Sequence, residues 1–558
     1  MKKRVALSLF AIVMAFASLP AANVASQKGS RVKASYVKDR ILVKLRAEAA
    51  PFTDEFQLPE QLFPARRTRA EKLGALDEYA PETDTFLVHL DGEVSVEEAI
   101  RQASLDPRVE YAEPDYLVYP ADTTPDDPAF NLQWGMSNFQ TAGADIGARQ
   151  AWDLTTGSPD VVAAVIDTGV DLSHPDLAPN AWVNPGEIPG NGFDDDGNGF
   201  ADDVNGWNFL ADNNVVYESP SVDRHGTHVA GILGAAGNNG IGVTGVAWQV
   251  KLMSLKFIGL RDGELSGTVS DAVKAIKYTT EQRQRGINIR VINASWGEAP
   301  DSQSLRKAIK KAGKAGILFV TAAGNGGPDG MGDDLDQRPD YPAAYSAQLP
   351  AVISVASLNI ADTRSASSNF GHNTVNVGAP GVQVYSTVPA GGYAHLSGTS
   401  MAAPHVAGIA VLLWSREPNL TPEQVKERIV KTAQPTLALA SVTVSSGRAN
   451  AFNALTNTIP AASLPAISAV QVDKKWVTVD GLYFLNNSSV VEINGVERSG
   501  KTLYDSAFSL ANGSLTRFRV KLGKTGVEAA FPQGAPVTIT VFNRTTGERS
   551  APYTFVRF

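Results

Sequence analysis

"VVAAVIDTGV" spans residues 161–170. Six apolar residues run without a polar break and stop at Asp167, beside Thr168 and Gly169. A strand with one wet face alternates apolar and polar, so an unbroken run of this length reads as a strand covered on both faces. Four more stretches repeat the pattern: "KLMSLKFI" (251–258), "IRVINASWG" (289–297), "GILFVTAAGN" (316–325) and "LPAVISVAS" (349–357). Helical segments separate them, which is the signature of a mostly parallel sheet with helices on both faces. Several of these runs end in Asp, Ser or Asn beside Gly, at the carboxyl ends of strands where α/β proteins assemble sites. The reading for residues 121–456 is therefore a three-layer α/β domain.

The flanks differ in kind. "MKKR" followed by "VALSLFAIVMAFASL" (5–19) and "PAANVAS" (20–26) has the basic, apolar and small-residue order of a secretory signal peptide over 1–26. The apolar run is short for a bilayer span, so no membrane anchor is expected once the leader is removed. Residues 27–120 hold a small α+β unit, with strands at "RILVKL" (40–45) and "DTFLVHL" (84–90) and helices at "RTRAEKLGAL" (67–76) and "SVEEAIRQASL" (95–105). "RVEYAEPDYLVY" (108–119) closes that unit. Residues 457–558 carry short alternating strands with Gly- and Asn-rich turns and no helical period, as in an all-β sandwich. A net charge of −9 in 558 residues leaves no basic excess for nucleic acid. The chain has no cysteine, so a secreted product needs a staple other than disulfides, and bound metal is the natural one.

"GTSMAAPHVAG" (398–408) places Ser400 at the start of a helix that continues through "HVAGIAVLLW". Pro404 is tolerated there on the reading that it lies in the first turn, where no helical N–H is lost. A serine at the positive end of a helix is an ordinary cap unless a base, an acid and an oxyanion donor accompany it. "DRHGTHVAGIL" (223–233) supplies His225 and His228, one helical step apart. That pair could hold zinc, but no third ligand stands at matching spacing. "VTAAGNGG" (320–327) supplies Asn325 at a strand end. Together these form a mechanism in which Ser400 attacks a carbonyl, His225 moves the proton, Asp167 orients the imidazole, and Asn325 faces the oxyanion.

"AAVIDTGVDLSHPDL", "HGTHVAGIL", "AAGN" and "GTSMAAPHVAG", in that order, resemble the catalytic blocks of the subtilisin-like serine proteases. The resemblance implies an endopeptidase with Asp167, His225 and Ser400 as triad and Asn325 as oxyanion donor. It leaves His228 and His405 as packing residues, and His174, His372 and His395 as surface or turn residues. It implies that Ser295, Trp296 and Gly297 of "ASWGE", with Ala323 and Gly324, line the substrate, although Trp296 and Glu298 depart from the usual pattern. Peptides or proteins would be the substrates and the enzyme a monomer. Residues 36–119 resemble the family's propeptides, which implies an intramolecular inhibitor removed by self-cleavage. The terminal unit faintly resembles immunoglobulin-like modules of the IPT/TIG type. A non-catalytic binding module of this descent would ordinarily have lost a triad residue, and none is lost here.

"NGFDDDGNGFADD" (191–203) packs like charges around a turn-forming Gly-Asn-Gly. Asp194, Asp196 and Asn198 stand at alternate positions with Gly199 next, as in a calcium loop. The carbonyl of Phe200 and Asp202 or Asp203 would complete the shell, and position twelve is Asn205 instead of the usual Glu. A second calcium site is implied by resemblance to thermitase-type relatives, through Asp127, Asp176 and Asn239.

Overall fold

The computed structural model describes residues 36–46, 69–75, 84–90, 94–116, 122–297, 300–498 and 500–557. The expected leader, residues 1–26, lies outside them, as does Glu298. The chain divides into two compact units, Met1–Ala121 and Asp122–Phe558.

In the first unit β1 (Tyr36–Leu45), β2 (Arg69–Ala75), β3 (Asp84–His89) and β4 (Val109–Tyr116) form a sheet in the order β2-β3-β1-β4. All its pairings are antiparallel. One helix, α1 (Val96–Ala103), packs Val96, Ala99 and Ala103 onto it. Ser95 caps α1 by accepting from the Glu98 N–H, and Glu97 and Glu98 sit in its first turn, where the helix dipole favours acids. Residues 69–75 were expected to be helical, yet they form β2. Their charges suit a helix surface, but β3 offers an open edge, and pairing from Arg69↔His89 to Ala75↔Asp84 overrides local propensity.

The second unit is built on a nine-stranded sheet. Its members are β5 (Gly157–Asp167), β6 (Gly206–Asn208), β7 (Gln249–Lys256), β8 (Ile289–Ala294), β9 (Leu318–Ala322), β10 (Val352–Leu358), β11 (Val377–Pro380), β12 (Gln434–Pro435) and β13 (Gly447–Arg448). The order is β12-β13-β11-β10-β9-β8-β5-β7-β6, parallel except at the β12 edge. The central helices are α2 (Arg224–Gly234), α3 (Val269–Gln284), α4 (Gln303–Lys314) and α5 (Thr399–Arg416).

The apolar run of β5 explains the three layers. Val161, Ala163 and Val165 face a core shared with α2 and α5, while Val162, Ala164 and Ile166 face a second core shared with α3 and α4. A strand with period two and no wet face must be apolar at every position. α5 is buried along nearly its whole length, which is why "AAPHVAGIAVLLW" carries no charge. Pro404 is the sixth residue of α5 and not in its first turn, so one helical N–H is missing there.

The C-terminal residues form two four-stranded sheets. The first is β14 (Ala466–Val472), β15 (Trp476–Phe484), β18 (Lys501–Tyr504) and β19 (Leu515–Lys521). The second is β16 (Ser489–Ile493), β17 (Val496–Glu497), β20 (Pro536–Asn543) and β21 (Tyr553–Val556). Both contribute to one apolar core containing Val477, Phe484, Val491, Phe518 and Ile539. A short helix, Gly523–Ala530, interrupts the expected all-β pattern. Leu482, Tyr483 and Leu510 bury against Ala440 of the α/β part, and His372 stacks on Phe508 at 3.9 Å. The sandwich is therefore packed onto its neighbour as well as tethered to it.

Candidate active site

Asp167 is the last residue of β5, and β5 pairs with β7 so that Asp167 lies opposite Lys256. Asp167 is fully buried. Its Oδ1 accepts from the Thr168 N–H at 2.7 Å and lies 2.7 Å from His225 Nδ1. His225 sits in the first turn of α2 with its side chain one-third exposed. Burial disfavours the imidazolium, but the charge and hydrogen bond of Asp167 outweigh it and hold the His225 pKa above its ordinary 6.5.

Thr168 joins the two elements. Its hydroxyl accepts from the Gly226 N–H at 3.0 Å, and its carbonyl accepts from the buried Lys256 ammonium. Lys256 also donates to Asp223 Oδ1 at 2.7 Å, and Asp223, the residue before α2, accepts from the Glu218 and Ser219 N–H groups of the segment leading into the helix. A closed ring of hydrogen bonds thus fixes β5 against α2. The fit is close enough that a Cβ on Gly226 would come within 2.2 Å of the Gly169 carbonyl oxygen. A buried lysine and aspartate of this kind are costly unless paired, and here each is satisfied.

Ser400 is the second residue of α5. Its hydroxyl donates to the Ser295 carbonyl at 3.1 Å, and the Ser295 hydroxyl donates to the Ser400 carbonyl at 2.8 Å. The second bond fills a vacancy made by Pro404, since the Ser400 carbonyl would otherwise accept the N–H of the residue four positions on. Asn293 Nδ2 donates to Ser295 Oγ at 2.9 Å and keeps that hydroxyl aimed at the helix. Helix α5 is thereby tied to Ser295, Trp296 and Gly297, the segment that follows β8.

Asn325 follows β9. Its Oδ1 accepts from the Thr399 N–H at 2.9 Å and the Thr399 hydroxyl at 3.2 Å, which leaves the amide NH₂ as the end available to an oxyanion. Asn369 braces the Ala323–Gly324–Asn325 turn, donating to the Ala323 carbonyl at 3.0 Å and accepting from the Gly326 N–H at 2.9 Å. Trp296 is half-buried; its indole N–H donates to the Ile166 carbonyl at 2.9 Å, so it braces the strand that ends in Asp167.

The remaining histidines take other parts. His228 is buried with Nε2 3.0–3.1 Å from the Ala394 and Val384 carbonyls, and burial lowers its pKa to about 3. His405 is buried beside the Met401 carbonyl at 2.9 Å, and burial lowers its pKa to about 4. His395 is exposed and His372 half-buried. His174, expected as a surface or turn residue, lies in a turn but is buried there, pinned by an Asp176 N–H to Nδ1 bond of 3.1 Å and by the Gly392 carbonyl at 3.0 Å.

In the acidic loop, one oxygen from each of Glu187, Asp194 and Asp196 lies within 4.8 Å of the others. Glu187 stands outside the motif read from sequence. Asp196 Oδ1 is buried and accepts no hydrogen bond, with the Arg285 guanidinium 3.5 Å away. Asp202 spends both oxygens on the Gly190, Asn191 and Gly192 N–H groups, and Asp203 accepts from Asn184, Asn198 and Tyr278. Asn198 Oδ1 accepts from the Phe200 N–H. Burial, aided by Asp203 and Asp196, pushes the Glu187 carboxyl above its usual range. Converging hard oxygens with a bare buried carboxylate oxygen fit a hard cation, whose oxygen ligands sit at about 2.3–2.6 Å if it is calcium.

Asp127, Asp176 and Asn239 also come together. Asp176 Oδ1 accepts from Asn239 Nδ2 at 3.1 Å, and Asp127 Oδ2 accepts from the Asn238 N–H at 2.7 Å. Asp127 Oδ1 is buried without a hydrogen bond, and burial raises the Asp127 pKa despite the backbone N–H groups of residues 238 and 239.

Comparison with known proteins agrees with this geometry. The subtilase family model matches residues 158–459. The thermophilic serine proteinase of Bacillus sp. (strain AK1) is 35% identical over 363 residues, covering 65% of this chain and 76% of that protein. Thermitase of Thermoactinomyces vulgaris is 35% identical over 333 residues, 60% of this chain and 99% of thermitase. An extracellular protease of Xanthomonas campestris pv. campestris is 33% identical over 439 residues, 74% of this chain and 70% of that protein. His225 pairs with Asp167, Ser400 with Ser295 and Asn325 with Thr399 beside Ser400, and with the family match over residues 158–459 the chain belongs to the subtilase family and is a subtilisin-like serine endopeptidase.

Proposed function

We propose that Ser400, His225 and Asp167 form the catalytic triad, and that the enzyme is secreted, calcium-stabilised and made as a self-processed precursor. The observation that carries the triad is the 2.7 Å contact of His225 Nδ1 with buried Asp167. It leaves Nε2 as the base. Ser400 Oγ turns from the Ser295 carbonyl toward Nε2, loses its proton there and attacks the substrate carbonyl. The Asn325 amide and the Ser400 N–H at the start of α5 stabilise the resulting oxyanion, and His225 returns the proton to the leaving amine. The peptide pairs with residues 295–297 as an added strand, facing Ala323 and Gly324.

Calcium would be held by Glu187, Asp194 and Asp196, with Asn198, Phe200, Asp202 and Asp203 shaping the loop, and at a second place by Asp127, Asp176 and Asn239. Its charge would offset carboxylate repulsion in the segment joining β5 to α2. Residues 27–120 are read as a propeptide that inhibits the mature enzyme, and residues 1–26 as the export signal.

A fluorophosphonate probe should label the purified mature protein and fail on Ser400→Ala, which should also accumulate as uncut precursor. Labelling of Ser400→Ala at the wild-type rate would remove the serine from its role. Maturation of Ser400→Ala produced alone would end the self-processing reading.

A further inference from the structure

Asn325 stands between Gly324 and Gly326, at φ +96° and +74°. Glycine has the most backbone freedom to lose, so a turn built on two of them does not hold its own shape. It is held from outside. Asn369 donates to the Ala323 carbonyl and accepts from the Gly326 N–H, and its own N–H donates to the Gly324 carbonyl at 3.0 Å. One residue therefore grips both sides of Asn325.

The segment that carries Asn369 runs directly to the C-terminal sandwich. The Phe370 N–H donates to the Asp333 carbonyl at 3.0 Å, and the Phe370 carbonyl accepts from the Leu335 N–H at 2.7 Å. The Gly371 N–H donates to the Val442 carbonyl at 2.9 Å, and a Cβ on Gly371 would stand 2.1 Å from Thr374 Oγ1, so the segment has little room to yield. His372 comes next. Its ring stacks on Phe508 at 3.9 Å with the planes 21° apart, and its Nε2 donates to the Ala507 carbonyl at 3.0 Å. Phe508 is fixed in turn by the Arg517 guanidinium, 4.1 Å from its ring centre and paired with Asp480. Ser441, beside Val442, makes a second tie by donating to the Thr516 carbonyl at 2.9 Å.

We propose that the C-terminal sandwich positions the oxyanion donor: the contact of His372 with Phe508 holds Asn369, and through it Asn325, where the developing charge needs an N–H. The inference rests on the oxyanion role read above for Asn325. His372 and Phe508 are positioning residues, because they act only through the Asn369 clamp. A donor of this kind works within a narrow range of distance, about 2.7–3.1 Å from the oxyanion, so a small shift of the turn forfeits it. A misplacement of about 1 Å caused far from the chemistry can cost on the order of 10²-fold in rate. The peptide-pairing residues 295–297 have their own tie to α5 through Ser295, so loosening the clamp bears on kcat more than on KM.

The test uses mature enzyme that keeps residues 457–558, with active sites counted by fluorophosphonate labelling and one peptide anilide as substrate. Phe508→Ala and His372→Ala are measured alone and combined with Asn325→Ala. Each alone should lower kcat by about tenfold with KM little changed. In the Asn325→Ala background the same changes should alter kcat by less than about twofold, because the donor they position is already gone. His372→Phe keeps a ring on Phe508 and should retain most of the wild-type kcat. Equal losses in both backgrounds would mean that the contact supports the fold in general, and unchanged kcat in the single variants would mean that the sandwich does not reach the turn. Either result overturns the inference while leaving the endopeptidase intact. Asn325→Ala enzyme with wild-type kcat would remove the oxyanion role and this inference with it. Should Phe508→Ala fold poorly, the His372 variants decide alone.

Discussion

Asp167 and the carboxylates of residues 187–203 belong to one stretch of chain leading from β5 to α2, yet they are balanced differently. Asp167 faces His225, so the positive charge that answers it arises on the protein itself when the imidazole takes a proton. The loop gathers Glu187, Asp194, Asp195, Asp196, Asp202 and Asp203, and among the described residues the ion pair found for them is Arg285 with Asp196 at 3.5 Å. Backbone N–H groups soften the loop's charge without cancelling it. On the proposed mechanism, Asp167 answers a charge that comes and goes in each turnover, whereas the loop carboxylates would be answered by a cation from outside.

Breaking the internal pair should have the largest effect. Asp167→Asn should reduce kcat by about 10⁴-fold, as in other triads that lose their acid, with circular dichroism unchanged. A loss under tenfold would mean that His225 is oriented by something else. Asn325→Ala should reduce kcat by roughly 10²–10³-fold with KM little changed, the cost of losing one oxyanion donor in subtilisin. An effect on KM alone would place Asn325 on the ground-state substrate.

The external partner should act on stability first. Saturating calcium at a hundred times Kd would add about 2.7 kcal/mol, so excess EDTA should lower Tm by several degrees and expose the 191–203 loop to self-digestion. Asp196→Ala should reproduce part of that loss with calcium present, leaving the Asp127 and Asp176 place in operation. Identical melting in EDTA and calcium would mean that the loop carries its charge without an ion.

The smallest effect sharpens the assignment of the base. The His225 pKa is raised, and the protonated ring cannot accept from Ser400, so kcat/KM should fall with decreasing pH at a midpoint above 6.5. His228 and His405, lowered to about 3 and 4, stay neutral through that range and should leave the profile alone. A midpoint at or below 5 would contradict the base assignment.

Much of the candidate site was legible as a set of positions because strand ends and helix starts have local signatures. The six-residue apolar run before Asp167 and the small residues around Ser400 announced their positions directly. What braces them was not. Lys256 lies in an apolar strand and Asp223 before a helix, and only their approach across β5, β7 and α2 makes them partners. Asn369 grips the Asn325 turn from 44 positions away in a segment with no periodic pattern, and Glu187 joins the acidic loop from outside its motif. β2 was misread because an edge pairing, and not its own residues, decides its state. Pairings distant in sequence leave no trace in local composition.

The two-sided burial of β5 also bears on how the enzyme can change over generations. Odd-numbered residues from Val161 to Val165 answer to one core and even-numbered residues from Val162 to Ile166 to the other, with no position facing solvent. A substitution that suits one core displaces the same backbone for both, and the displacement ends at Asp167. The two halves of the α/β domain therefore cannot drift independently. Changes in helix packing on either side must arrive in compensating sets, while the outer loops stay comparatively free to vary.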